Sequence, residues 1–469
     1  MPKKIGTYDT ETAKHAGLQK ILDILSDLGA EKVYVKHLAP NDNSKNQPYF
    51  AYHLTEIPFI PTGETVASET TSNKSKATQD NKRAIKYQAS MKLNWFDAEG
   101  RTYPAPNAKL IYYPQYPEVR FSGFLKGSKV QASKWMDPKK EGRAVNRWLI
   151  LGVSPDETIH AYLVTPDCAL ATELSETQFF EASTVFGEIN ASKKVVKSTR
   201  GALIAKLLEI HQMGWIPGQK LGPAGEKEPY TALNAGGYTL EAELGVSPNG
   251  IAEPDFLGWE VKQFGVTGFP ARGTKPTTLL TPEPNGGFYV DQGAQEFVRK
   301  YGYADKSGKS DRLNFGGKHL VNQACGATSL TMRITGFDSE NSTITDAKGG
   351  IALLDDNDVV TASWSFAKLM DHWKRKHAQA VYVPSMRQPV TGGGNEYLYG
   401  KNIELGTGTD FEMLLTAFAS GHVYYDPGIK LEGASSGKPK LKKRSQFRVS
   451  HKELYSLYRA YELIDITEA

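Results

Sequence analysis

Cysteine is nearly absent from this chain. Its 469 residues hold two, Cys168 and Cys325, far apart and with no CxxC companion. That leaves no disulfide framework and no cysteine-based zinc site, and it suits a reducing compartment. Long apolar runs are missing too. Nothing reaches the roughly 18 apolar residues a membrane-spanning helix needs, and Met1-Pro2-Lys3-Lys4 leads into polar residues rather than the apolar core of a signal peptide. The expectation is a soluble, cytoplasmic protein with no membrane partner. There is no repeat of fixed period, which argues against a solenoid or propeller. Neither sign of charge dominates: Lys plus Arg number 56 against 52 for Asp plus Glu, a formal +4. A polyanionic partner is therefore permitted but not demanded. With 39% hydrophobic, 10% aromatic and 23% charged residues, a fibrous or wholly disordered chain is excluded, and the length points to two domains or three.

What is present falls into two textures. Ala16, Leu18, Ile21, Leu22, Ile24, Leu25 and Leu28 recur at three- and four-residue intervals with Gly29 behind them, which predicts one amphipathic helix over 11–29. From Lys32 to Asp167, short β-rich runs such as Lys109-Leu110-Ile111-Tyr112-Tyr113 and Trp148-Leu149-Ile150-Leu151-Gly152-Val153 alternate with turn residues, and predict a mainly β domain. Residues 62–83, rich in Thr, Ser, Asn and Lys, read as a long mobile loop. Asn190-Ala191-Ser192-Lys193-Lys194 is small and polar, and divides the chain into domains 1–190 and 191–469. The second mixes expected helices (203–213, 364–377, 409–419, 451–463) with strand-like runs at Gly258–Lys262 and Ala380–Val383. It reads as α/β or α+β.

The chemistry concentrates in one stretch. Gly237-Tyr238-Thr239-Leu240-Glu241-Ala242-Glu243-Leu244-Gly245 reads as a helix stopped by glycine; a loop through Pro248-Asn249-Gly250 follows, then Pro254-Asp255-Phe256-Leu257-Gly258-Trp259-Glu260-Val261-Lys262 turns into a strand. Residues two apart on a strand share a face, so Glu260 and Lys262 project together, with Asp255 at the strand entrance. Clustered carboxylates repel unless paired or bound to a cation. Mg²⁺ accepts one or two protein carboxylates plus waters and phosphate oxygens, which makes Asp255, Glu260 and the main-chain carbonyl of Val261 candidate ligands. Lys262 could orient or help deprotonate an attacking water and steady charge on a phosphate, with Glu241 in support. As spacing alone, D-x4-E-x-K is common, and an isolated match reads first as a surface strand with a Glu–Lys ion pair.

The flanking letters separate these readings. Thr-Leu-Glu-x-x-Leu-Gly followed by Pro-Asp-x-x-Gly-x-Glu-x-Lys resembles the MvaI/BcnI restriction endonucleases and, more distantly, the mismatch-repair nicking enzyme MutH. Thr407-Gly408-Thr409-Asp410-Phe411, Val423-Tyr424-Tyr425-Asp426-Pro427-Gly428-Ile429-Lys430 and Lys443-Arg444-Ser445-Gln446-Phe447-Arg448 look like the carboxy-terminal half of the same enzymes. The resemblance implies a PD-(D/E)xK nuclease core with Glu241, Asp255, Glu260 and Lys262 in the active-site roles. It further implies Mg²⁺-dependent hydrolysis of duplex DNA at a short CCWGG or CCSGG type of site, by a monomer that nicks one strand at a time in a prokaryotic cytoplasm, alongside a cognate DNA methyltransferase.

Tyr34-Val35-Lys36-His37-Leu38-Ala39-Pro40-Asn41-Asp42, with Lys45-Asn46-Gln47, resembles the first DNA-contacting arm of the EcoRII effector domain, a pseudobarrel; the basic segment from Arg120 through Lys126 to Lys129 resembles its second arm. The resemblance implies DNA contacts from Lys36, His37, Asn41, Asp42, Lys45, Asn46, Gln47, Arg120 and Lys126. Side chains of these types pair with adenine, guanine or phosphate, although Asn41-Asp42 also suits a plain Asx turn. Near the carboxy terminus a basic run contains Arg444, Gln446 and Arg448, which are expected to meet DNA as well. The fusion of the two domains, a UbaLAI-like arrangement, implies two DNA-binding surfaces and type IIE behaviour, in which a second copy of the site raises activity at the first. The alternatives are a MutH-like repair nickase and a non-catalytic DNA-binding regulator. His372 and His377 are five apart and make no metal motif; Gly406-x-Gly408 and Gly392-Gly393-Gly394 lack the context of a phosphate loop; both cysteines read as small buried residues.

Overall fold

The structure, a computed structural model, describes residues 8–40, 47–70, 84–130, 132–137, 139–189, 199–222, 225–232, 234–246, 255–271, 273–376, 378–391 and 393–468. Asn41, Asp42, Lys45, Asn46, the segments 71–83, 190–194, 248–250 and Pro254, together with His377 and Gly392, lie outside the described residues. The chain divides into two units, Met1–Ser198 and Thr199–Ala469.

The first unit is β-rich. Two short helices lead it, α1 (Glu11–His15) and α2 (Leu18–Asp27), where the periodicity predicts one. The break falls at Gly17, which takes extended backbone as N-cap, and the carboxylate of Glu173 accepts the Leu18 N–H at 2.7 Å. A helix restart is stabilised there because an acidic group meets the first turn's orphan donors. Twelve strands follow: β1 (Lys32–Leu38), β2 (Tyr49–Ala51), β3 (Thr65–Thr70), β4 (Ala84–Ser90), β5 (Leu93–Phe96), β6 (Thr102–Pro104), β7 (Lys109–Tyr113), β8 (Glu118–Ser122), β9 (Arg147–Val153), β10 (Ile159–Val164), β11 (Phe180–Glu181) and β12 (Gly187–Ile189); α3 (Ala169–Glu176) precedes β11. They form one sheet in the order β11-β12-β1-β9-β10-β5-β6 and another in the order β2-β8-β7-β4-β3. The expected loop over 62–83 thus begins as a strand, since β3 pairs antiparallel with β4 from Thr65↔Ala89 to Thr70↔Ala84. β-branched Thr and Val suit a pleated edge despite the polar composition.

Each sheet turns an apolar face inward. Phe50 and Phe121 stack with centroids 4.9 Å apart, and Phe121 on Phe124 at 4.4 Å. Ile21 and Leu25 of α2 are fully buried, and Leu25 lies where a Cβ on Gly152 of β9 would have to be. Glycine at 152 is what lets the helix reach the sheet.

The second unit is mixed α/β. Its central strand is β14 (Gln379–Pro389), parallel to β13 (Glu260–Gly265) and antiparallel to β15 (Asn395–Tyr399) and β16 (Asn402–Thr407), with β19 (Ala460–Asp465) beyond β16. Two helices, α4 (Thr199–Gln212) and α5 (Ala235–Leu244), share one core with Val261, Val381, Val383 and Leu405. Leu203 and Leu207 of α4 are buried in that core, and truncating either to Ala would cost about 2–5 kcal/mol. Because side chains alternate along strands, the opposite face receives Glu260, Lys262, Tyr382 and Glu404, and the pairings Lys262↔Tyr382 and Tyr382↔Glu404 set three of these in one row. Helices α6 (Phe366–Lys376) and α7 (Phe411–Ala419) and the strands β17 (Val423–Tyr425) and β18 (Phe447–Val449) complete the frame used below.

The expected helix over 451–463 is instead a 3₁₀ segment, His451–Leu457, followed by β19. His451, Leu454 and Leu457 are its buried residues, and spacing of three matches the 3₁₀ repeat rather than the α repeat. Among the described residues no helix is long and apolar enough to cross a membrane.

Candidate active site

Helix α5 ends at Gly245, whose φ of 79° lies in the left-handed region, and the Val246 N–H returns to the Glu241 carbonyl at 2.8 Å. That stop is cheap only for glycine. It sets Glu241 in the last turn, half-buried, near the start of β13. Its neighbour Glu243 is buried and structural, paired with Lys227 at 2.7 Å.

A tight turn leads into β13. Phe256 N–H donates to the Trp259 carbonyl at 3.0 Å and Trp259 N–H to the Phe256 carbonyl at 2.8 Å, with positive φ at both central residues, Leu257 (47°) and Gly258 (85°). Such a turn matches the strand twist but strains a leucine. It folds Asp255 back beside the strand, where the carboxylate accepts the Val261 N–H at 2.8 Å. In extended backbone the N–H and C=O of one residue point to the same side, so the Val261 carbonyl also faces Asp255 rather than β14.

On the polar face the Lys262 ammonium contacts the Glu260 carboxylate. Glu260 is almost fully buried, and its other oxygen, Oε2, has no hydrogen-bond partner among the described residues. Burial acts to lower the Lys262 pKa, but Glu260, Asp255 and Glu241 in that order outweigh it and hold the ammonium above its ordinary value. One cation thus sits within the field of three carboxylates. Among the described residues no group of three or more His, Cys, Asp or Glu side chains is gathered as a metal cage by itself. The oxygen set available to an ion is Glu260 Oε2, Asp255 and the Val261 carbonyl. Hard oxygens with an orphaned, buried carboxylate oxygen among them suit a hard divalent cation.

Sequence reasoning overlooked the residues beside Lys262. Glu404, buried, accepts from His451 Nε2 at 3.1 Å and from the Tyr461 hydroxyl, while Tyr382 and Tyr458 share a hydroxyl contact at 2.9 Å. Only the cross-strand register joins them, and no local spacing carries it.

In the first unit Lys36 is buried, His37 is exposed and packs tilted against Trp148 with ring centroids 4.7 Å apart, and Lys126 is exposed. Gln47 donates to Ser122 Oγ at 2.7 Å, and Arg120 reaches the Gln47 carbonyl and the Glu118 carboxylate. In the second unit Arg444 is exposed, but Gln446 is buried and donates to the Asp426 carbonyl at 2.7 Å. That bond ties the Gln446 amide to the Asp426 backbone. Half-buried Arg448 holds the Asp426 carboxylate at 2.7 Å and the Pro276 carbonyl at 2.9 Å.

The sequence model of the MvaI/BcnI restriction endonuclease family matches residues 204–458, more than half of the chain. The chain belongs to this family. It is accordingly a type II restriction endonuclease, a site-specific deoxyribonuclease of double-stranded DNA. Among solved structures, a restriction endonuclease MvaI–cognate DNA substrate complex is similar at 18% identity and TM-score 0.41, over 56% of this chain and 97% of that one. MvaI in the absence of DNA is similar at 18% identity and TM-score 0.32, over 58% of this chain and 99% of that one. No curated protein matches.

Proposed function

We propose that the second unit of this MvaI/BcnI-family member is a PD-(D/E)xK nuclease domain that hydrolyses duplex DNA at a short CCWGG- or CCSGG-like site with Mg²⁺, and that the first unit is an EcoRII-like pseudobarrel that binds DNA as an effector domain. The carrying observation is the Lys262 ammonium on Glu260 with Asp255 and Glu241 in its field. Asp255, Glu260 Oε2 and the Val261 carbonyl would hold the ion. When bound, Mg²⁺ supplies Lewis-acid polarisation and lowers the pKa of a nearby water.

The chain's own residues do the rest. Lys262, held protonated by its carboxylate neighbours, acts as a cation that orients the incoming water and steadies charge on the phosphate during one-step in-line attack. The Asp255 carboxylate, fixed by the Val261 N–H, keeps the turn closed against the strand. Glu241 supports the cluster from the end of α5. Arg444, Gln446 and Arg448, with Lys36, His37, Gln47, Arg120 and Lys126 on the first unit, are proposed DNA contacts. Two DNA surfaces in one monomer suit a second copy of the site as effector, and a cognate methyltransferase would protect the host.

The test is digestion of DNA of known sequence with Mg²⁺ and sequencing of the ends. Unaided double-strand scission at one short site is expected; cleavage that requires mismatch-repair proteins would overturn the restriction reading. Asp255→Ala and Lys262→Ala should abolish cleavage while leaving site-specific binding within about threefold, because neither removes a base contact. Loss of binding in both would reassign these residues to the fold.

A further inference from the structure

A cleft of about 560 Å³ opens in the first unit between β1, β9 and the β2–β8 edge. Lys36, His37, Arg120 and Arg147 line it, and among the described residues no Asp or Glu does. Its walls include the rings of Tyr49, Trp148, Phe179 and Phe186. Lys36 is 7% exposed, and its ammonium makes no ion pair or hydrogen bond among the described residues; it has only the face of Phe186, 5.7 Å from the ring centroid. A buried ammonium is costly without a partner. Arg147, still more deeply buried, spends its guanidinium on the carbonyls of Ala39, Trp135 and Ala144, with no carboxylate among them. Among the described residues, then, no ion pair neutralises its charge.

We propose that this cleft is a nucleotide receptor, with the Lys36 ammonium facing the phosphate and the aromatic walls flanking the base. The volume falls in the range of small-molecule sites, and cationic groups with flat apolar walls are the chemistry that phosphate-bearing rings require. The burial that depresses the Lys36 pKa to about 8 is relieved when an anion arrives. The nucleotide comes either from free solution or from a bound DNA strand; the second source rests on the reading of this unit as a DNA-binding domain.

The experiment is competitive labelling of the full chain with an amine-reactive reagent in metal-free buffer, with Lys36 followed by peptide mass spectrometry. The probes are a deoxynucleoside 5′-monophosphate and, separately, a duplex oligonucleotide. A saturating probe is expected to slow Lys36 labelling about tenfold while exposed lysines such as Lys20 keep their rate. Protection by the duplex supports the strand as source, and Lys36→Met should then make the slope of log affinity against log salt shallower by about 1. Protection by the mononucleotide alone keeps the cleft as a nucleotide site and removes the DNA-binding reading of this face. Protection by neither overturns the proposal. Because the Lys36 ammonium has no anionic partner among the described residues, Lys36→Met should be at least as thermally stable as the wild type; a less stable variant would assign the lysine to packing and overturn it too.

Discussion

Replacing Lys262 by Met should destabilise the second unit in the absence of divalent ions, and the structure sets the size of the effect. Glu260 has a side chain 1% exposed and Lys262 one 27% exposed. Removing one partner of a buried pair strands the other charge, at a cost of about 3–5 kcal/mol, whereas removing both is close to neutral. The partial exposure of Lys262 argues for the lower end, about 3 kcal/mol. For a domain of this size that is a fall in Tm of about 6–9 °C. Glu260→Gln combined with Lys262→Met should recover most of the loss. Calorimetry in EDTA measures both. Adding Mg²⁺ to the single variant should restore stability as the ion takes over as countercharge, by about 2.7 kcal/mol at a hundredfold excess over its Kd. A Lys262→Met protein as stable as wild type in EDTA, or a double variant no better than the single one, would refute the argument that Glu260 is a buried charge waiting on a cation.

Two further perturbations probe the same physics elsewhere. Lys36 titrates at about 8 in the folded protein against an ordinary 10.5. Its folded pKa is depressed, so the burial penalty is present in full below about pH 8 and fades as pH rises toward 10.5, where the unfolded chain still holds the proton that the folded one has lost. The gap is worth about 3 kcal/mol. Lys36→Met should therefore stabilise the protein by up to that amount at pH 7 and by little at pH 11 in guanidinium titrations; a constant difference across pH would contradict the assignment. Gly245→Ala meets no atom of the described residues within 4 Å, so its expected cost is that of the left-handed backbone, about 1 kcal/mol. A larger loss on denaturant unfolding would mean that the stop of α5 carries more than its φ.

Local chemistry made parts of this molecule legible. A period of two puts Glu260 and Lys262 on one face, and a glycine after an apolar helix marks the end of α5. What escaped is set by tertiary partners. The helix over 11–29 is divided because Glu173, more than 140 positions away in sequence, offers its carboxylate to Leu18. The strand Thr65–Thr70 exists because Ala84–Ser90 lies beside it, and a polar composition cannot announce a neighbour. The 451–463 pattern of Leu454, Leu457 and Tyr461 fits both a helix and a three-residue repeat followed by a strand, and β16 decides between them by pairing with β19. Nor does the letter at Gln446 show the bond its amide makes to the Asp426 carbonyl, which only the fold brings alongside.

The two faces of the central sheet explain why a site of this kind sits here. Val261, Val381 and Leu405 close one face against α4 and α5, and that apolar packing holds β13 and β14 in register. On the other face the register leaves Lys262, Tyr382 and Glu404 side by side. A row of buried polar groups is tolerable only where each finds a partner. Glu404 has His451 and Tyr461, Tyr382 has Tyr458, and Lys262 has Glu260. Next to that row, among the described residues, Glu260 Oε2 has no hydrogen-bond partner, and it lies beside the turn that brings in Asp255. A neutral Gln at 260 would remove the charge an incoming cation needs, so the residue that costs stability in the resting protein is the one on which cation binding depends.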